Sequence, residues 1–156
     1  MDQKAEAVER YRAAIELLRM EVDRVFQTLG AFLLADTLVA GFLLNAAVDK
    51  DPEPLVLIGG AVFGVVLCSL WLSTYERGSS MYNFRMAIAD DVEPDGWHLL
   101  RDRAGFSEGK KVMVGKTFRE MKFPGRRKAR NAVRTLIALF AAAYFAILLF
   151  GIAQLA

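Results

Sequence analysis

Three long apolar runs dominate the pattern of this chain: residues 26–48, 54–74 and 135–156. Each spans 21 to 23 residues. A helix rises about 1.5 Å per residue and a bilayer's hydrocarbon core is about 30 Å thick, so each run is a full span. A buried helix of a soluble protein keeps a polar stripe. TLIALFAAAYFAILLFGIA has none, and VLIGGAVFGVVLCSLWL has almost none. The pattern predicts an all-α fold with three transmembrane helices.

Outside the runs the period changes from continuous to helical. Residues 1–25 lack Gly and Pro, and Val8, Tyr11, Ile15, Leu18 and Val22 repeat at three and four. That is a heptad-like stripe, of coiled-coil type. It leads into the first run, so residues 3–48 read as one helix whose first 25 residues form a cytosolic amphipathic part. After the second run, Met81, Phe84 and Ile88 repeat at the same spacing. They predict a second amphipathic face, paired with the first in a helical stalk. Gly78-Ser79-Ser80 is a weak point, and Pro94-Asp95-Gly96 ends the helix. Trp97 to Arg103 reads as a short helix. GKKVMVGKTFREMKF is ambiguous: a hairpin turning at Gly115-Lys116, or a helix from Thr117 to Lys122. Phe123-Pro124-Gly125 breaks whatever precedes it.

Composition agrees once segregation is seen. The chain is 54% hydrophobic and 24% charged, but Asp36 is the only charge inside the three runs. Residues 1–25 hold five Lys/Arg, the link 49–53 only Lys50, and residues 75–134 fourteen against eight Asp/Glu. Basic flanks stay cytoplasmic. The expected topology in a bacterial inner membrane is N-terminus in, 49–53 out, 75–134 in, C-terminus out. A charge-rich stretch precedes the first run, which is not the layout of a cleaved signal peptide. Arg126, Arg127, Lys128, Arg130 and Arg134 stand before the third run. They mark topology and suit anionic lipid headgroups, at about 1 kcal/mol each. A cytosolic or membrane protein partner is the alternative. Without interleaved aromatics, nucleic acid is not expected.

Little else carries chemistry. Cys68 and His98 are single, so no metal site of the usual kind assembles and Cys68 reads as a packing residue. VGKT at 114–117 lacks the spacing and the preceding strand of a phosphate loop. Asp90, Asp91, Glu93 and Asp95 lack the glycine and terminal glutamate of a calcium loop. No nucleophile has a base beside it. No enzyme activity and no cofactor are expected. Gly60 and Gly64 form a GxxxG that lets helices approach closely, in the same chain or between copies.

Asp36 lies near the centre of the first run. A charge there costs about 2.5–3.5 kcal/mol. Thr37, Gly41 and Asn45 give that run a polar, small-residue side, and depth matching places Asp36 near Gly64 and Tyr144. No Lys, Arg or His occurs in the three runs. Asp36 is therefore expected neutral, hydrogen-bonded to Tyr144 or a backbone carbonyl. In an oligomer it could instead ring a hydrated ion or proton path.

The stretch WLSTYERGSSMYNFRMAIADDVE, with Trp71, Ser80, Asn83, Phe84 and Ile88, follows a two-run hairpin and a charged N-terminal helix. Over residues 1–95 this layout resembles the SLATT-type effectors of bacterial nucleotide-signalled defence. The resemblance implies paired spans that carry helices into the cytosol and form membrane-disrupting homo-oligomers. The first functional expectation is thus a self-assembling, channel-like effector. The alternative is a membrane anchor or accessory subunit docking a partner through its basic segment.

Overall fold

The structure is a computed structural model that describes residues 3–49, 52–94, 100, 102–114, 117–121 and 129–155. Helix takes 83% of them, so the fold is all-α with one small hairpin. The order is α1 (Gln3–Ala47), α2 (Pro54–Asp91), α3 (Arg103–Ser107), β1 (Val112–Val114), β2 (Thr117–Arg119) and α4 (Ala129–Ala153). Each of α1, α2 and α4 is long and apolar enough to cross a membrane. The chain divides into two units, residues 25–77 with 132–156, and residues 1–24 with 78–131.

In the first unit, three helices pack with one period. Inward positions on α1 are Val25, Leu29, Phe32, Asp36, Val39, Leu43 and Ala46. On α2 they are Leu57, Ala61, Gly64, Cys68, Trp71 and Tyr75, and on α4 Val133, Ile137, Phe140, Tyr144, Ile147 and Gly151. Steps of three and four alternate throughout, which is the 3.5-residue repeat of left-handed bundle packing. At one end of this unit Arg134 Nε pairs with Glu76 Oε1 at 2.6 Å, tying α4 to α2.

In the second unit, the start of α1 shows the expected stripe: Tyr11 and Leu18 are buried, with Val8, Ile15 and Val22 partly so. Arg10 and Glu6, four apart, add an ion pair at 2.6 Å. Arg85 of α2 pairs with Glu21 of α1 at 3.6 Å. The face expected to pack there is corrected. Met81, Phe84 and Ile88 are exposed, and the inward positions are Gly78, Tyr82, Arg85, Ala89 and Val92. These continue the α2 period unbroken, and α2 runs helically through Gly78-Ser79-Ser80. Burial there follows the register set higher in the helix, not hydropathy.

Buried Glu93 accepts the Leu100 N–H on both oxygens, at 3.0 and 3.3 Å. The short helix described beyond it is Arg103–Ser107, and most of the Trp97–Arg103 stretch lies outside the described residues. Gly109 ends α3 with φ at 79°, a left-handed value that glycine accepts without strain, and Lys110 N–H returns to Gly105 O at 2.8 Å. Of the two readings of the following tract, strand is found: Val112 faces Arg119, Met113 faces Phe118 and Val114 faces Thr117. The Gly115-Lys116 turn, Trp97, His98, the Phe123-Pro124-Gly125 break and Arg126, Arg127 and Lys128 lie outside the described residues.

Candidate functional site: a polar layer in the three-helix unit

Asp36 occupies the inward stripe of α1, seven residues after Leu29 and seven before Leu43. It is 0% exposed. From α4, Tyr144 donates its hydroxyl to Asp36 Oδ1 at 3.1 Å and to the Asp36 backbone carbonyl at 2.9 Å. A carbonyl has two lone pairs, so it can take this bond beside its helical one. From α2, Cys68 Sγ lies 3.7 Å from the same Oδ1, a weak thiol donor. Asp36 Oδ2 is buried without a hydrogen-bond partner among the described residues.

The layer is held by its neighbours. A Cβ on Gly64 would meet the Tyr144 ring at 2.5 Å, so only glycine leaves room for that ring. Gly60 does the same for Leu43, and Gly151 sits against Leu57 and Ile58. Both glycines of the GxxxG therefore face partners within the chain. On one side of the polar layer, Phe32 stacks on Trp71 with centroids 6.1 Å apart, and Phe140 tilts against Trp71 at 6.2 Å. On the other, Leu43, Leu57, Ala61 and Ile147 pack in one apolar cluster.

The structure brings together Asp36, Tyr144 and Gly64, and sets Thr37 and Asn45 apart. Both of these are exposed, and Thr37 bonds back to the Leu33 carbonyl at 2.7 Å. A helix that bends a hydroxyl onto its own backbone needs no further partner in an apolar medium. Gly41 also faces open space. Of the basic candidates, Arg134 is exposed and paired with Glu76, and Arg130 is half-buried. Sequence reasoning left Cys68 as filler. The signal that finds it is the period: counting from Gly64 by four lands on Cys68, on the stripe that faces Asp36.

Chemically, one acid meets two weak donors in an enclosed layer. That arrangement orients and satisfies a carboxyl group; it offers no activated nucleophile. No family model matches the chain, and no curated protein or solved structure matches it either.

Proposed function

We propose that this is a non-enzymatic protein of a bacterial inner membrane, spanning it with α1, α2 and α4, that self-assembles into a channel-like or membrane-disrupting effector. The topology of this reading is N-terminus in and C-terminus out. One observation carries it. Met81, Phe84 and Ile88 are 39%, 60% and 42% exposed on a stretch of α2 beyond its apolar run. Contiguous apolar surface of this kind outside a membrane favours a protein contact. Copies inserted with one topology hold the stripe at one depth, so a cyclic axis along the membrane normal brings like stripes together. The packing of Asp36, Gly60 and Gly64 within the chain supports a bundle complete in each copy. Any conduction then runs between copies, with Asp36 holding each bundle together. The layout shared with SLATT-type effectors over residues 1–95 agrees with this role.

The test is the mass of the complex in mild detergent, together with ion flux from liposomes. Wild type should form a closed oligomer and release ions. The Phe84→Ser, Ile88→Ser double variant should do neither. A wild type that stays monomeric and silent rejects the reading. A second reading, an accessory subunit, has its own support: Met113 and Phe118 pair across the hairpin at 62% and 69% exposed, with Lys110, Lys111 and Arg119 nearby. Recovery of a different protein in fixed stoichiometry, lost with Phe118→Ser, favours it.

A further inference from the structure

A groove of about 440 Å³ opens between α2 and α4 in the three-helix unit. Its walls are mainly Val65, Leu72, Ile137, Ala138 and Ala141, with Cys68 and Ser69 also lining it. Ser69 contributes little polarity, because its hydroxyl bonds back to the Val65 carbonyl at 2.9 Å. Glu76 and Arg134 line it too. Glu76 stands two residues after the second apolar run and Arg134 immediately before the third, so they mark the polar end of an otherwise apolar slot. The volume falls within the range of roughly 300–1,000 Å³ that small-molecule sites take.

We infer that this groove is a site for a glycerophospholipid, one acyl chain lying between α2 and α4 and the phosphate on Arg134. The inference rests on the membrane reading above and assigns a lipid to one place in it. Because Glu76 offsets the Arg134 charge, hydrogen bonding to the phosphate, not net charge, selects the lipid class. Arg134 engages Glu76 through Nε, which fixes the guanidinium while its terminal nitrogens keep N–H donors for a phosphate. Size argues against a helix from a second copy. Nine residues line the groove, whereas a stable protein contact takes roughly 20–30 residues a side.

Wild type and variants, purified in mild detergent and stripped of lipid, are titrated with phosphatidylglycerol and read by native mass spectrometry. Wild type should retain one lipid ahead of all others. Ala138→Phe fills the slot, and Arg134→Gln removes the cation. Each should weaken that first binding about tenfold or more, the scale of one charge-assisted hydrogen bond or one excluded chain. Ala142→Phe, on the exposed side of α4, should leave it unchanged. Diacylglycerol, which has the acyl chains but no phosphate, should bind at least as weakly as the variants bind phosphatidylglycerol, and inorganic phosphate should not compete. Equal first binding by wild type and Ala138→Phe, equal binding of the two lipids, or no retained lipid overturns the assignment. If Arg134→Gln fails to fold, Ala138→Phe and the lipid comparison decide alone. Failure of the membrane reading shows separately, as release of wild type from carbonate-washed membranes.

Discussion

Gly64→Ala is the sharpest perturbation of the polar layer. Its methyl carbon would lie 2.5 Å from Cδ1 and Cε1 of Tyr144 and 2.6 Å from Cγ. That is about 1 Å inside the separation of roughly 3.5–4.0 Å at which carbon atoms attract. The ring must therefore move by about 1 Å. Its hydroxyl is held at 2.9 and 3.1 Å from Asp36, and a shift of that size takes a hydrogen bond past its useful range. Overpacking costs about 1–3 kcal/mol, and a lost intramembrane hydrogen bond about 0.6, at most about 1.7. The sum is about 1.6–4.7 kcal/mol. Gly59→Ala is the matched control, since a Cβ there meets nothing within 4 Å; it should gain up to about 1 kcal/mol of helix propensity. Unfolding by dodecyl sulfate in mixed micelles, followed by circular dichroism, compares the two. Tyr144→Leu in the Gly64→Ala background should recover part of the loss, because the clash is with ring carbons. If Gly64→Ala unfolds no earlier than Gly59→Ala, the packing of Tyr144 on α2 is refuted.

Tyr144→Phe should lower stability by about 1–2 kcal/mol in the same assay, since only a thiol then faces the carboxyl, while Asp36→Asn keeps an acceptor for both donors and should stay within about 1 kcal/mol of wild type. Burial, then the nearby Glu93 charge, raises the Tyr11 phenol above its ordinary 10.0; the neutral form is favoured on folding, so its contribution is full below pH 10.0 and is lost as pH rises through the folded value. Glu93→Gln should move the Tyr11 phenolate absorbance midpoint down toward 10.0 without reaching it, because burial remains, and an unmoved midpoint would contradict the Glu93 contribution. In intact cells a membrane-impermeant maleimide should label Glu53→Cys and reach Ser107→Cys only after permeabilisation; the reverse pattern would invert the topology.

What the sequence made legible was period. The stripe from Val8 to Val22 continues in steps of three and four to Ala46, and α2 and α4 keep the same repeat. The misreading came from taking apolar character as direction. Met81, Phe84 and Ile88 have helical spacing, yet the positions that the repeat carries inward from Leu57, Ala61, Gly64, Cys68 and Trp71 are Gly78, Tyr82, Arg85, Ala89 and Val92. All but Val92 are small, amphipathic or charged, and hydropathy alone passes over them. Thr37 and Asn45 lie off the layer for a related reason: a residue next to an inward position, as Thr37 is to Asp36 and Asn45 to Ala46, points to another face of the helix. Matching the midpoints of the apolar runs pointed to Tyr144, whose hydroxyl lies 3.1 Å from Asp36 Oδ1.

The same repeat explains why a carboxyl group is tolerated in the stripe at all. Apolar heptads slide past one another at small cost, and a polar residue at one such position selects a register. Asp36 meets Tyr144 and Cys68 in a single alignment. Sliding α4 by one inward step would set Phe140 or Ile147 opposite it, leaving a carboxyl without a donor from α4, which costs about 2.5–3.5 kcal/mol or more if charged. Asp36→Leu should therefore keep or raise the unfolding midpoint, because the Tyr144 hydroxyl retains the backbone carbonyl at 2.9 Å, and should lose uniqueness instead. Trp71 reports this, packed as it is between Phe32 and Phe140. With 5-fluorotryptophan incorporated, wild type should give one Trp71 fluorine line and Asp36→Leu several. A single sharp line in the variant, at wild-type shift, would mean that apolar shape alone sets the register and that Asp36 serves some other end.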